Sequence, residues 1–301
     1  MNHMSVTTKI ESPFGIYLES RKRLVNEQLE KIVEEGPQDH SLRKLADSLK
    51  YTLLADGKRM RPLLSIAVYE LFKNDIEEII EPACAIELIH AASLMLDDLP
   101  CMDDAEYRRG RQSNHRVFGE ATTILASAAL FVGAFKIFSK IESVKINPIV
   151  KETADSLGRL GLIRGQFLDI ESFRSLKTVD ELETAYYLKS GLLFENAVKI
   201  GALMGGANTE QLEILQKFGR DFGLAFQIRD DINDYILSRE ESGKDERIDV
   251  RNQKPTYVSL LGLAGAEEAL QKIILGIKKD LEAIHLDTAK LFDFINLISD
   301  N

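Results

Sequence analysis

Residues 88–104 read LIHAASLMLDDLPCMDD, a mostly apolar run that passes without a break into two pairs of aspartates. The apolar part, from Leu88 to Leu96, predicts a helix that is buried in the protein core. A carboxylate is costly to bury unless it is paired with a cation or coordinated to a metal. Aspartates at the end of a core helix therefore favour a cation site, although a solvated acidic helix terminus would give the same sequence.

The spacing of these aspartates suits one cation only if the helix is distorted. On an ideal helix Asp97 and Asp103 would diverge by about 120° and would not share a face. Pro100 removes a backbone donor and disfavours helical geometry at the residue before it, so a local distortion could bring the carboxylates together. Hard oxygen ligands of this kind suit Mg²⁺. The segment Arg108-Arg109-Gly110-Arg111 then adds guanidinium groups, which match phosphate oxygens.

A second acidic cluster lies far downstream, at Asp230-Asp231-Ile232-Asn233-Asp234. Asp230 and Asp234 stand at i and i+4 on one helical face, where like charges repel unless a cation lies between them. The apolar turns before them weaken the alternative of an exposed acidic face. We therefore interpret this cluster as a second metal site.

Three basic segments accompany the acidic clusters. Residues 57–62 (GKRMRP) place cations just before a helix that Pro62 could open, which predicts an anion site. Lys244 follows Gly243, and Lys254 precedes Pro255. Both lysines are predicted to lie in loops that could close over a phosphate ligand. An isolated lysine is more often simply solvated, so these two residues carry weight only together with the acidic clusters.

Apolar residues recur at helical spacing along nearly the whole chain, whereas alternating strand patterns are scarce. The sequence therefore predicts an all-α protein. The predicted helices cover about residues 14–34, 40–55, 62–73, 80–99, 120–140, 148–171, 179–203, 209–238, 255–262 and 266–284.

The composition bounds the function. With 45% hydrophobic residues among 301, the chain can bury a large core, and a net charge of −10 argues against nucleic acid as a partner. The longest uncharged stretch, Ala121 to Phe135, is too short for a bilayer span of roughly 20 residues, so we expect no membrane span. Two cysteines and no visible export segment favour the cytoplasm.

Taken in order, the segments GKRMRP, ELIHAASLMLDDLPCMDD, YRRG, GQFLD, LKSG, FQIRDDIND and the GK…KPTY tail resemble the trans-isoprenyl diphosphate synthases over about residues 50 to 265. Four residues separate the first aspartate pair from Asp103, as in the bacterial and plastid farnesyl and geranylgeranyl diphosphate synthases. The resemblance implies the isoprenoid synthase fold, a single large helical bundle with a central cavity, formed by one domain over residues 1–301. It also implies a cytoplasmic homodimer that joins isopentenyl diphosphate to allylic diphosphates with Mg²⁺.

The same resemblance implies roles for individual residues. Those that match the isopentenyl diphosphate ligands are Lys58, Arg61, His90 and Arg109. Those that match the allylic diphosphate ligands are Arg108, Lys189, Lys244 and Lys254, with Ser190 and Gln227 near the reacting carbons. Those that match the magnesium ligands are Asp97, Asp103 and Asp230, supported by Asp98, Asp231 and Asp234, with Gln166 and Asp169 as a further polar pair nearby.

Product length is expected to depend on the residues just before the first aspartates. Ala92 and Ser93 are small, whereas relatives that stop at fifteen carbons tend to place an aromatic residue at or beside this point. We therefore predict geranylgeranyl diphosphate as the product and expect Ala92→Tyr to shorten it. The stripe of Phe131, Phe135 and Phe138 could instead form a floor and favour farnesyl diphosphate, although such stripes are more often ordinary core.

Two other functions fit parts of this pattern. A class I terpene cyclase shares the helical fold and one aspartate-rich motif, but it typically has a mixed second metal motif and lacks the GKRMRP segment. A noncatalytic partner subunit of a heteromeric synthase would be expected to have damaged acidic clusters, and both clusters are intact here. Chain elongation is the interpretation that uses all of the motifs.

Overall fold

The computed structural model describes residues 12–35, 39–171, 176–242 and 255–299. Nearly all of these residues are helical, which confirms the all-α class. The helices are α1 (Pro13–Glu34), α2 (Arg43–Leu53), α3 (Met60–Tyr69), α4 (Glu77–Asp97), α5 (Asn114–Phe118), α6 (Glu120–Phe138), α7 (Ser143–Leu157), α8 (Leu162–Glu171), α9 (Val179–Tyr186), α10 (Leu192–Gly205), α11 (Thr209–Ser242), α12 (Tyr257–Glu282) and α13 (Ala289–Ser299). A hairpin pairs β1 (Tyr107–Arg108) with β2 (Arg111–Gln112), a 3₁₀ turn covers His40–Leu42, and a π-turn covers Tyr187–Gly191.

The chain divides into two compact units. The first contains the described residues up to Val150 together with Leu203–Gly205, and the second contains Lys151–Ala202 and the described residues from Gly206 onward. The first aspartate cluster therefore belongs to the first unit, and the second cluster belongs to the second unit.

Helix α4 is the core helix of the first unit, as its apolar sequence predicts. Helix α6 packs closely against it, because the Ser127 hydroxyl donates to the Ala92 carbonyl at 2.9 Å and a Cβ at Gly133 would lie only 3.3 Å from Leu88. Ala92 has no exposed surface in this packing. The contact fixes the helix that ends at the first aspartates.

An aromatic cluster forms the core of the second unit around α11. The Phe222 ring lies at its centre, with centroid distances of 5.4 Å to Phe194, 5.7 Å to Phe218 and 6.5 Å to Phe294. The rings are tilted or edge-on, which is the favourable arrangement for aromatic pairs. This cluster fixes the helix that carries the second group of aspartates.

The structure corrects several predicted helix boundaries. The helix predicted over 148–171 is two helices, α7 and α8, because the chain turns at Gly158 and Gly161. At Gly161 a Cβ would stand 2.1 Å from the Ser156 carbonyl oxygen, so only glycine fits this turn. The helix predicted over 179–203 is interrupted by the π-turn.

The predicted break between helices 255–262 and 266–284 is confirmed, because α12 contains non-helical backbone at Gly262, where φ is +72° and ψ is 168°. Other differences arise from weak local signals. The hairpin, the short helix α5 and the last helix, α13, are absent from the prediction. Two-residue strands and a five-residue helix are too short to leave a periodic pattern.

Among the residues that the structure describes, two helices are long and apolar enough to cross a membrane, namely α4 and α6. Core helices of soluble proteins pass the same test, and 67% of the apolar window of α4 is buried inside the protein. For α6 the buried share is 39%, and the helix extends beyond the uncharged stretch that the sequence suggested.

Candidate active site

The chain folds back on the end of α4 directly after the first aspartate pair. The helix ends at Asp97, and the backbone N–H of Asp103 donates to the Asp97 carbonyl at 2.9 Å. The N–H groups of Met102 and Asp104 both donate to the Leu99 carbonyl. The chain therefore leaves the ideal helix around Pro100, as predicted, and the backbones of Asp97 and Asp103 are directly linked.

Asp98, the second member of the first pair, binds Arg108 of the hairpin. Arg108 Nε lies 2.7 and 2.9 Å from the two carboxylate oxygens, and Nη2 lies 2.6 Å from Oδ1. Burial lowers the pKa of Arg108, but the hydrogen bonds and charge of Asp98 outweigh it and leave that pKa raised. Asp98 is therefore placed to hold an arginine in position, and its side chain is almost fully buried.

The hairpin turns at two residues with left-handed backbone, Arg109 and Gly110, with φ of +52° and +74°. A two-residue hairpin turn of this kind matches the twist of the strands on either side. Tyr51 of α2 holds the hairpin, since its hydroxyl donates to the Gln112 carbonyl at 2.8 Å and the Arg111 guanidinium lies 3.9 Å above its ring. Two of the predicted diphosphate ligands, Arg108 and Arg109, are therefore presented on a fixed turn.

The GKRMRP segment meets α4 through two arginines with different roles. Arg59 is buried, with Nη1 at 2.7 Å from the Glu87 carboxylate and Nη2 at 2.9 Å from the Leu53 carbonyl, so it anchors the segment to the core. Arg61 instead lies beside His90, with Nη1 3.3 Å from Nε2. Burial, followed by the charges of Arg61 and other arginines, lowers the pKa of His90 well below its usual value, so the imidazole is neutral and Nε2 accepts from Arg61.

The half-buried side of α4 carries a row of predicted site residues. His90, Ser93 and Asp97 stand at i, i+3 and i+7, and all three are half-buried. Lys58, just before α3, is exposed. Ala92 lies outside this row and is fully buried against α6.

In the second unit, Asp231 joins α11 to its neighbours. It accepts hydrogen bonds from the Tyr186 hydroxyl at 2.7 Å and from the Tyr257 backbone N–H at 2.9 Å. Burial is the main cause that raises the pKa of Asp231 to about 6. Gln227 and Asp230 are half-buried on the same helix, and Asp234 is exposed.

The π-turn carries Lys189 and Ser190, which are both half-buried. The Lys189 ammonium lies 2.6 Å from Oδ2 of Asp169, whose side chain is only 4% exposed. Gln166, one turn earlier on α8, has a buried Nε2 with no hydrogen-bond partner among the described residues. Its amide is therefore available to a ligand or a water molecule.

The side chains suit Mg²⁺ bound through a phosphate ligand. Within the described ranges, no three His, Cys, Asp or Glu side chains converge on one point. Mg²⁺ usually keeps several waters and binds through one or two carboxylates plus substrate phosphates, so carboxylates such as Asp97 and Asp230 fit that requirement. The predicted ligands Lys244 and Lys254 lie outside the described residues.

Comparison with known proteins agrees with the motifs. The chain matches the Polyprenyl synthetase family over residues 42–289. It is 37% identical to the farnesyl diphosphate synthase of Bacillus subtilis (strain 168), over 98% of this chain and 99% of that protein. It is 40% identical to a chloroplastic geranylgeranyl pyrophosphate synthase of Catharanthus roseus, over 86% of this chain and 73% of that protein.

A solved structure agrees as well. The apo FPP/GFPP synthase of Zymomonas mobilis matches with a TM-score of 0.81 at 29% identity, covering 95% of this chain and 97% of that one. The fold and the matched motifs define a short-chain trans-prenyltransferase, an enzyme that transfers alkyl groups. The chain belongs to the polyprenyl synthetase family and, within it, to the trans-isoprenyl diphosphate synthases.

Some residues of the site were not identified from the sequence. Tyr51 holds the arginine hairpin and Tyr186 holds Asp231, yet neither lies in a charged motif. Arg59 and Tyr257 do lie in quoted motifs, GKRMRP and KPTY, and this was the only local signal of their importance. Their partners, Glu87 and Asp231, are distant in the sequence.

Proposed function

We propose that this enzyme extends allylic diphosphates with isopentenyl diphosphate in a Mg²⁺-dependent reaction that ends at geranylgeranyl diphosphate. The observation that carries the proposal is the arrangement of each aspartate cluster. In each pair the second aspartate binds a neighbouring protein group, with Asp98 held by Arg108 and Asp231 held by Tyr186 and Tyr257. This arrangement fixes the backbone from which Asp97 and Asp230 project.

The proposed reaction begins with cleavage of the carbon–oxygen bond of the allylic diphosphate. Mg²⁺, when bound, supplies electrostatic stabilisation to the departing diphosphate. Lys189 and Arg108 add fixed positive charge, which is effective because Asp169 and Asp98 hold both groups in place before the bond breaks. We assign Lys244 and Lys254 the same task.

Isopentenyl diphosphate is assigned to the first unit. Its diphosphate would bind Lys58, Arg61 and Arg109, and a neutral His90 keeps Arg61 oriented without adding repulsion among the arginines. The double bond then attacks the allylic cation, a new carbon–carbon bond forms, and a proton is lost to the departed diphosphate. Ser190 and Gln227 are assigned to the region of the reacting carbons, and Gln166 with Asp169 to the metal-bound diphosphate.

The twenty-carbon product is supported by the small residues before Asp97. Ser93 lies on the half-buried side of α4 with Asp97, and a serine leaves more room there than an aromatic residue would. Farnesyl diphosphate is the second candidate. It is favoured by the match to the farnesyl diphosphate synthase of Bacillus subtilis, which covers nearly the full length of both chains.

We also propose that the enzyme is a cytoplasmic homodimer in which all 301 residues serve one synthase domain. The outer face of α6 supports the dimer, since Ile124, Leu125 and Val132 are 46%, 63% and 70% exposed. A row of exposed apolar side chains on one helix favours burial against a second protein surface. Sedimentation velocity tests this assignment, and a monomer at micromolar concentration would contradict it.

A product assay tests the reaction. The purified protein is incubated with labelled isopentenyl diphosphate and a five-, ten- or fifteen-carbon allylic diphosphate, with and without Mg²⁺. We expect each starter to be converted to the twenty-carbon product only when Mg²⁺ is present. Accumulation at fifteen carbons would establish the farnesyl alternative, and no condensation with any starter would overturn the proposed function.

A further inference from the structure

We propose that Gly165 and Gly223 are positioning residues, which let two helices close on the π-turn Tyr187–Gly191 and so place Lys189 on Asp169. The inference rests on the proposed function in one respect, namely that Lys189 binds the allylic diphosphate. All of these residues belong to the second unit. The contacts that carry the inference lie at the two ends of the π-turn.

The first contact is between α8 and the start of the π-turn. A Cβ at Gly165 would stand 2.6 Å from the carbonyl carbon of Leu188 and 2.8 Å from the backbone nitrogen of Lys189. These are backbone atoms, which cannot move away from the added Cβ as the end of a long side chain can. An alanine at this position would therefore push α8 and the π-turn apart.

The second contact is between α11 and the end of the π-turn. A Cβ at Gly223 would stand 2.8 Å from the Cα of Gly191, again a backbone atom. Gly165 lies in the first turn of α8 and Gly223 in the interior of α11, and in a helix glycine is less favourable than alanine. Local helix formation gives no reason for a glycine at either position, whereas the close approach of the helices does.

The close approach of α8 to the π-turn determines the position of Lys189. Asp169 stands one turn after Gly165 on the same face of α8, so the contact at Gly165 sets the distance between Asp169 and the π-turn. The resulting ion pair is short, 2.6 Å between Lys189 Nζ and Asp169 Oδ2. π-turns inside α-helices are frequent at functional sites, and here the wider turn is the one that presents Lys189 and Ser190.

Steady-state kinetics of Gly165→Ala test the inference. A misplacement of about 1 Å in a catalytic group can cost roughly a hundredfold in rate, so we expect kcat/KM for the allylic substrate to fall about 10- to 100-fold. The affinity for isopentenyl diphosphate, measured by calorimetry, should stay within about twofold, because its assigned ligands lie in the first unit. Gly223→Ala should show the same pattern.

Gly276→Ala is the matched control. Gly276 lies in the interior of α12, and a Cβ there would meet no atom within 4 Å. We expect wild-type kinetics and an equal or higher melting temperature, because alanine favours the helix. Gly165→Ala kinetics equal to those of this control would overturn the inference.

A double-mutant cycle separates positioning from general destabilisation. If Gly165 acts through Lys189, then Gly165→Ala should add little further loss in a Lys189→Ala background. An equal loss in both backgrounds would contradict the inference. If Gly165→Ala does not fold, Asp169→Asn provides the second test, since it removes the ion pair without crowding the backbone.

Asp169→Asn should reproduce the allylic defect, and wild-type allylic kinetics in this variant would overturn the inference. Failure of the proposed function is recognised separately, because the wild-type protein would then form no prenyl product. Calorimetric binding of Mg²⁺ with inorganic pyrophosphate still tests the geometry in that case. Weaker binding in Gly165→Ala than in Gly276→Ala would support the inference, and equal binding in the two variants would overturn it.

Discussion

Arg108 grips both carboxylate oxygens of Asp98, with Nε at 2.7 and 2.9 Å and Nη2 at 2.6 Å from Oδ1. The Asp98 side chain is 4% exposed and that of Arg108 is 33% exposed, so the aspartate is buried while the arginine reaches the surface of the loop. The aspartate pair thus combines two tasks. Asp97 lies on the half-buried side of α4, and Asp98 orients the guanidinium group of Arg108.

Asp98→Asn should therefore impair the enzyme by releasing Arg108. We expect kcat/KM for the allylic substrate to fall about 10- to 100-fold, as is typical when an orienting partner is removed. Asp104→Asn in the same loop is the matched control, because Asp104 is exposed and loses the same charge. Equal kinetics for the two variants would show that the Arg108 contact has no functional role.

Gly57→Ala should weaken the binding of isopentenyl diphosphate specifically. A Cβ at Gly57 would stand 2.9 Å from Nη1 of Arg109, so the guanidinium would have to move. Because Arg109 is a flexible, exposed side chain, we expect little change in melting temperature. The loss of one charge-assisted hydrogen bond corresponds to a rise in KM for isopentenyl diphosphate of about tenfold or more. An unchanged KM would remove Arg109 from the assigned ligands.

The neutral state of His90 makes stability depend on pH. Burial, together with Arg61, Arg109, Arg108 and Arg59, keeps the pKa of His90 far below its unfolded value of 6.5. Below pH 6.5 the unfolded chain therefore binds a proton that the folded protein does not, and stability falls as the pH falls. Between pH 7.5 and 5.5 we expect this residue to lower the stability by on the order of 1 kcal/mol.

The comparison of wild type with His90→Gln isolates this contribution. Chemical denaturation at the two pH values should show a smaller loss for His90→Gln than for wild type. Glutamine retains a hydrogen-bond acceptor for Arg61, so the fold should be preserved. An identical pH dependence in the two proteins would mean that folding does not shift the pKa of His90, and it would contradict the prediction.

Ser93→Phe should shorten the product. Ser93 shares the half-buried side of α4 with Asp97, whereas Ala92 is fully buried and its carbonyl accepts from Ser127. We expect Ser93→Phe to shift the product from twenty to fifteen carbons or fewer, with little loss of stability. Ala92→Tyr should instead cost stability, by about 1–3 kcal/mol or more, because it overpacks the contact with α6.

Product analysis together with thermal unfolding separates these two outcomes. The Ser93 assignment would be wrong if Ser93→Phe left the chain-length distribution unchanged. A stable Ala92→Tyr protein that makes shorter products would instead show that Ala92 is the residue that limits chain length.

The sequence predicted the long periodic elements well. Helix α1 begins and ends within one residue of the predicted range, and α11 begins where predicted and extends four residues further. In both cases apolar residues recur at helical spacing over the predicted range, so local signals suffice there. The break at Pro100 was also predicted, because proline acts on its own neighbours.

The parts that the sequence could not predict depend on distant contacts. Nothing near Lys189 in the sequence identifies Gly165 as its neighbour, and nothing near Asp231 identifies the Tyr257 backbone as a donor. The hairpin at Arg109 depends on two left-handed residues, of which only Gly110 is visible as a turn signal. Tertiary packing decided these features.

The aspartates of both clusters are proposed to hold Mg²⁺ for one prenyl transfer. The most direct measurement is condensation of labelled isopentenyl diphosphate with geranyl diphosphate, by wild type, Asp97→Ala and Asp230→Ala, over a Mg²⁺ titration and with EDTA. We predict that EDTA abolishes turnover and that each variant loses about a thousandfold or more in kcat. Turnover that survived EDTA, or that both variants retained, would show that these aspartates do not hold a catalytic Mg²⁺.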